Sequence, residues 1–150
     1  MFRFGLITGN DAGKRCPMKA GQYFRQDGAC FVTFVDGVAE LASLGSQKVD
    51  GYAVMPKALN WDKLYYLTQS GDDMLIQSSA DAVFRVPAKN AVTAAEAGKQ
   101  YRLGYTGTID ANSFLQYVVN DGTNVAAAQV IVQDVDEYDI KNQCLKVKLA

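Results

Sequence analysis

The stretch ACFVTFVDGVAELA, Ala29 to Ala42, decides the fold. Two runs of small apolar, β-branched and aromatic residues, Ala29–Val35 and Val38–Ala42, are separated only by Asp36-Gly37. A two-residue type I′ turn needs positive φ at both central positions, and Asp-Gly is one of the few pairs that adopts it readily. The stretch therefore predicts a β-hairpin. Asp-Gly recurs at Asp27-Gly28, Asp50-Gly51 and Asp121-Gly122, each beside a strand-like run.

Outward from this hairpin the chain keeps the same rhythm. Strands are predicted at Tyr52–Met55, Lys63–Gln69, Asp73–Gln77 and Ala82–Val86, with turns at Ser70–Asp73 and Ser78–Asp81. Short strands at close, regular spacing read as a small sandwich or barrel. After PAKNA, Pro87–Ala91, the segment TAAEAG places Thr93 three residues before Glu96 and ends at Gly98. That is a capping box with a glycine stop, which predicts one short helical turn. Tyr101–Tyr105, Phe114–Val119 and AQVIVQDV then read as strands, with FLQYVV apolar on both faces like a central strand. In CLKVKLA, Leu145, Val147 and Leu149 alternate with Lys146 and Lys148, so the lysines are expected to face water.

The predicted fold class is all-β: a small sandwich- or barrel-like module, a second small β-module, an extended N-terminal arm and one short helix. The boundaries fall at residues 1–20 (arm), 21–87 (β-domain) and 88–150 (C-terminal β-module). Each β part is small enough to be marginal alone, so the two are expected to pack on each other or on a partner.

The 150 residues are 49% apolar and 21% charged, which excludes a disordered chain. No apolar run approaches the roughly 18 residues that span a bilayer, and the N-terminus has no leader-like apolar stretch, so a cytoplasmic origin and no membrane partner are expected. Cys16, Cys30 and Cys144 are odd in number and widely spaced. In a reducing compartment they read as free thiols filling apolar space, with Cys30 and Cys144 buried and unpaired. A net charge of −1 argues against nucleic acid as a partner. The charge is unevenly distributed. Residues 1–26 carry Arg3, Lys14, Arg15, Lys19 and Arg25 against Asp11, whereas DVDEYD, residues 134–139, carries four acids. Such polarity suits docking onto a partner surface.

Several chemistries are disfavoured by the residues themselves. LITGNDAGKRC, Leu6–Cys16, has three residues between Gly9 and Gly13 where a phosphate loop has four, and Arg15 replaces the metal-binding hydroxyl. The chain has no histidine, which removes Ser-His-Asp and Cys-His arrangements and most zinc sites. No cofactor, catalytic residue or metal site is assigned, and the protein is read as a non-enzyme. The acids of 134–139 lack the EF-hand glycine and read as a solvated hairpin loop. In NWDKLYYL, Trp61 is expected to close a core edge. Tyr65 and Tyr66 point to opposite faces of a strand and cannot form one stacking platform.

The segments AGQYFRQDGACFVTFVDGVAELAS, VDGYAVM and KLYYLTQSGDDMLIQSS, with the tail GKQYRLGYTGT and QVIVQDVDEYDIKNQCLKVKLA, resemble the β-rich capsid decoration (cement) proteins of tailed bacteriophages. The resemblance lies in strand and turn pattern over about 130 residues; MFRFGLITGNDAGKRCPMK matches no family motif. It implies a structural virion protein on the outside of an icosahedral capsid, stabilising contacts between subunits of its partner, the major capsid protein. Clamping around a symmetry axis favours a homo-oligomer, a trimer first. The alternative is a receptor- or carbohydrate-binding β-module of a phage tail or fibre. Phe2, Arg3, Phe4, Lys14, Arg15, Lys19 and Arg25 are the expected partner-binding residues, in an arm that orders on the shell.

Overall fold

The computed structural model describes residues 4–8, 13–43, 48–54, 65–121 and 128–150. Thirteen strands lie among them: β1 (Gly5–Thr8), β2 (Lys14–Pro17), β3 (Tyr23–Arg25), β4 (Phe31–Val35), β5 (Val38–Leu41), β6 (Gly51–Val54), β7 (Tyr65–Leu67), β8 (Asp73–Gln77), β9 (Val83–Pro87), β10 (Gln100–Thr106), β11 (Leu115–Val119), β12 (Val130–Val132) and β13 (Cys144–Leu149). The all-β expectation holds. Most predicted strands appear within a residue or two of their expected bounds. Met55, Lys63 and Leu64 lie outside the described residues, as does Trp61.

The Ala29–Ala42 hairpin forms as predicted. β4 and β5 pair antiparallel with Val35 opposite Val38, and Asp36 and Gly37 take φ of 51° and 79°, the left-handed pair that a type I′ turn requires. The other Asp-Gly pairs do different jobs. Asp50 accepts hydrogen bonds from Phe34 N (2.7 Å) and Thr33 Oγ1 (3.2 Å). Gly51 sits inside β6, where a Cβ would lie 2.5 Å from Ile76 Cγ2, so glycine there permits close packing of strands. After Asp27-Gly28 the chain does not fold back on β3, which pairs with β7 instead. Gly122 lies outside the described residues.

Two larger sheets organise the strands. The five-stranded sheet runs β2-β8-β6-β4-β5, and the six-stranded sheet runs β1-β9-β13-β12-β10-β11. The five-stranded sheet curls until its edges meet: Met18, just past β2, bridges Ala39 of β5 in parallel, and Lys19 N donates to Ala39 O at 2.9 Å. The sheets share a core. Phe31 of β4 meets Tyr52 of β6 edge-on at 4.8 Å, and Tyr52 stacks on Phe84 of β9 at 4.7 Å.

The N-terminal segment therefore differs from a free arm. β1 pairs with β9 and β2 with β8, and Cys16 and Met18 are buried. Its two short strands add to sheet edges that sequence spacing does not reveal, because their partners lie about 60–80 residues away. The expected boundary after residue 87 falls at the end of β9, which pairs with β1 on one side and β13 on the other. β11, expected to be central, is the last strand of its sheet. Its outer edge is covered locally, as Ala29 N donates to Gln116 O (2.8 Å) and Lys89 N to Val118 O (2.9 Å).

The Thr93–Glu96 turn appears as a 3₁₀ helix over Ala94–Glu96, with Glu96 Oε2 accepting from Thr93 N at 2.8 Å. A second helix, α1 (Glu137–Asn142), replaces the expected acidic hairpin loop. Asp136 caps it by accepting from Asp139 N at 2.9 Å, and Asp139 reaches back to Asp136 N at 3.3 Å. Asp-x-x-Asp is doing what Thr-x-x-Glu does at the other turn. The three cysteines are buried and none forms a disulfide, as expected for Cys30 and Cys144.

Where backbones diverge, buried side-chain amides complete the pairing. Gln116 of β11 is 1% exposed. Its Oε1 accepts from Phe31 N (2.7 Å), while its Nε2 donates to Phe31 O (3.0 Å) and Ala42 O (2.8 Å). Gln22 accepts from Leu41 N at 2.9 Å in the same manner.

Two outcomes are expected. Gln116→Met preserves volume but strands buried backbone groups, which costs about 2–4 kcal/mol and lowers the thermal midpoint by roughly 5–15 °C. An unchanged midpoint in a calorimetric scan contradicts the role given to this amide. Deleting residues 2–16 removes β1 and most of β2, and the truncated chain is expected to melt well below the full chain or to fail to fold.

Candidate functional site

The seven residues expected to meet a partner are dispersed by the fold. Phe2 and Arg3 lie outside the described residues. Phe4 is half-buried, beside a cavity of about 270 Å³ that Arg25, Cys30, Tyr52 and Val54 also line. Arg15 pairs with Asp73 at 2.7 Å and Lys19 with Glu40 at 3.6 Å. Arg25 grips Asp27 with Nε and Nη2, both at 2.7 Å, and donates through Nη1 to the carbonyl of Asn112. These three cations hold the protein's own elements together.

Lys14 is different. It is exposed on β2, and its ammonium has no ion-pair or hydrogen-bond partner among the described residues. It borders a second cavity, of about 230 Å³, together with Cys16, Phe34, Gly37, Ile76 and Ser78. Closure of the five-stranded sheet brings β2 alongside the β4–β5 hairpin and so sets Lys14 near its tip. At that tip Phe34 and Val35 are 39% and 45% exposed. They flank the turn on consecutive positions, and the backbone N of Phe34 is tied down by Asp50. The result is a held apolar projection with a cation at its side.

Sequence reasoning found Lys14 but missed Phe34 and Val35. The signal was present in TFV-DG-V: both residues before a two-residue turn are apolar, and successive strand positions point to opposite faces, so burying both needs cover on both sides of the strand. The core claims Phe31 and Val32, and the hairpin extends past it.

The other chemically dense region lies around α1. Lys146, expected in water, is buried; its Nζ lies 2.6 Å from Asp139 Oδ2, 3.0 Å from Asp136 Oδ2 and 3.5 Å from Asp134 Oδ2. Asp139 is fully buried and also accepts from Arg85 Nε (3.3 Å) and Cys144 Sγ (3.5 Å). Tyr138 lies over the Arg85 guanidinium at 4.6 Å. Burial alone lowers the Lys146 pKa, but hydrogen bonds to Asp139 and Asp136 outweigh it and raise the value. Three of the four acids that looked like a solvated loop thus converge on a strand lysine. Among the described residues no group of carboxylates or thiols converges as a metal site. Burial pushes the Cys30 thiol up to about 12, so at neutral pH it is protonated and acts as apolar filling.

No protein-family model, curated protein or solved structure matches the chain.

The Asp136 carboxyl has a titration that can be followed. The hydrogen bond from Asp139 N, with that from Lys146 next, holds it at about 2 instead of 3.8. A folded value below the unfolded one stabilises the fold above pH 4, and this contribution is lost as pH falls from about 4 to about 2. Asp136→Asn keeps the cap and removes the charge. It is expected to flatten the acid limb of a thermal-midpoint profile relative to the parent chain, and superimposable acid limbs contradict the assignment.

Proposed function

We propose that this chain is a structural virion protein that binds the outer face of an icosahedral phage capsid and stabilises contacts between major capsid subunits. The observation that carries the reading is the β4–β5 tip: Phe34 and Val35 exposed on a hairpin tied down by Asp50, with Lys14 beside them and without an ion-pair partner among the described residues. Interface centres are enriched in aromatic side chains that fill a partner's pocket, with polar groups around the rim. The family resemblance of the sequence supplies the class of partner. In this reading the tip enters an apolar niche on the shell, while Lys14 meets a carboxylate there and sets orientation and encounter rate. Several copies, three in the simplest arrangement, surround a symmetry axis of the particle.

Co-sedimentation with purified capsids lacking decoration tests this. The full chain is expected to pellet in many copies per shell. Phe34→Ser with Val35→Ser is expected to weaken binding by about 30-fold or more with an unchanged far-ultraviolet spectrum. Lys14→Glu is expected to weaken it in a salt-sensitive way. Failure of the full chain to pellet overturns the capsid reading; full binding by the Phe34/Val35 variant moves the contact elsewhere on the surface.

A further inference from the structure

The two-stranded sheet β3–β7 stands apart from the larger sheets and has two unlike faces. Its inner face is fixed: Phe24 is completely buried, and the Tyr66 hydroxyl donates to Asp72, which also accepts from Gln69 N at 2.8 Å. Strand alternation puts Tyr23 and Arg25 on the other face, and the register sets Leu67 opposite Tyr23 and Tyr65 opposite Arg25. The Tyr23 and Tyr65 rings meet at 5.0 Å with an interplanar angle of 67°. Beside them lies the Arg25–Asp27 pair, held by two hydrogen bonds of 2.7 Å.

We propose that this outer face binds a neutral sugar ring. The chemistry selects such a ligand on three grounds. The tyrosine rings are partly exposed and offer flat apolar surface to the C–H face of a pyranose, while their hydroxyls make no hydrogen bond among the described residues. The Asp27 carboxylate uses two acceptor positions on Arg25 and has about two more, suited to a pair of neighbouring hydroxyls. Arg25 and Asp27 neutralise each other, so the face carries no net charge to select an ionic group. Sites of this kind combine aromatic surface with a few well-placed polar groups. Strands of three residues span about 10 Å, which suits one or two hexose rings more than an extended peptide. This site is independent of the capsid reading and uses none of Lys14, Phe34 and Val35.

The experiment is a titration of the full chain, followed by nuclear magnetic resonance, with maltotriose, cellotriose, xylotriose and chitotriose. Saturable shifts are expected at Tyr23, Arg25 and Tyr65 with at least one of them. Tyr23→Leu and Tyr65→Leu keep apolar bulk but remove the ring, and each is expected to weaken binding about tenfold. Phe34→Ser is expected to leave it unchanged. Because the shifts are read on the parent chain, a variant that misfolds does not decide the matter. Absence of saturable shifts with all four sugars, or shifts confined to other residues, overturns the proposal. Saturation by a proline-rich peptide but by no sugar also overturns it.

Discussion

The amide of Gln116 governs how the two large sheets can coexist. A strand at the end of a sheet presents backbone donors and acceptors that must be paired if they are buried. At the seam between β11 and β4 no continuous ladder forms, yet Phe31 and Ala42 are inside the protein. The Gln116 side chain replaces the missing ladder with one acceptor and two donor contacts. Its own backbone carbonyl holds Ala29. Gln22 and Gln129 do related work, accepting from the buried backbone N of Leu41 and of Leu103. A polar residue in a core is costly only while unsatisfied. Here the polar residues are what allow short strands to change direction without leaving orphaned groups.

This arrangement explains what the sequence disclosed and what it concealed. Local patterns were legible: the Asp36-Gly37 turn, the strand runs of β8 and β9 between their turns, and the Thr93–Glu96 cap all depend on residues within a few positions of each other. Pairings across large separations were not. Nothing in GLIT or KRCP announces a strand whose partner is β9 or β8. Turn-forming residues around them made the segment look like an arm. Lys146 was misread because strict alternation assumes one wet face, and α1 covers that face. Helix α1 was overlooked because its cap is built from two aspartates in a run of acids, which reads as a charged loop until Lys146 is placed against it.

The candidate site was half legible for the same reason. Charge is visible in a sequence, but whether a charge is engaged depends on the fold. Arg15, Lys19 and Arg25 have carboxylate partners, and among the described residues Lys14 has none. Phe34 and Val35 looked like ordinary strand residues, and only the length of the hairpin relative to the core makes them protrude. Both faces given a binding role arise where short β elements reach beyond the shared core: the β4–β5 tip, and the outer side of β3–β7.

The position of β13 has a consequence for how the chain reaches its final form. It is the last described strand in chain order, yet it lies inside the six-stranded sheet, between β9 and β12. Until it arrives, the β1–β9 pair and the β12–β10–β11 group are joined, among the described residues, by the single β-bridge of Ala88 to Val118. The five-stranded sheet, by contrast, draws on residues 14–77 alone. The strands of the first sheet are therefore all made before residue 78, although its core still waits for Phe84 and Gln116, and the second sheet cannot complete its ladder until its keystone strand is inserted. High separation between paired strands makes such a step slow. During that interval the open edges of β9 and β12 are the surfaces most exposed to wrong pairing and to chaperone capture.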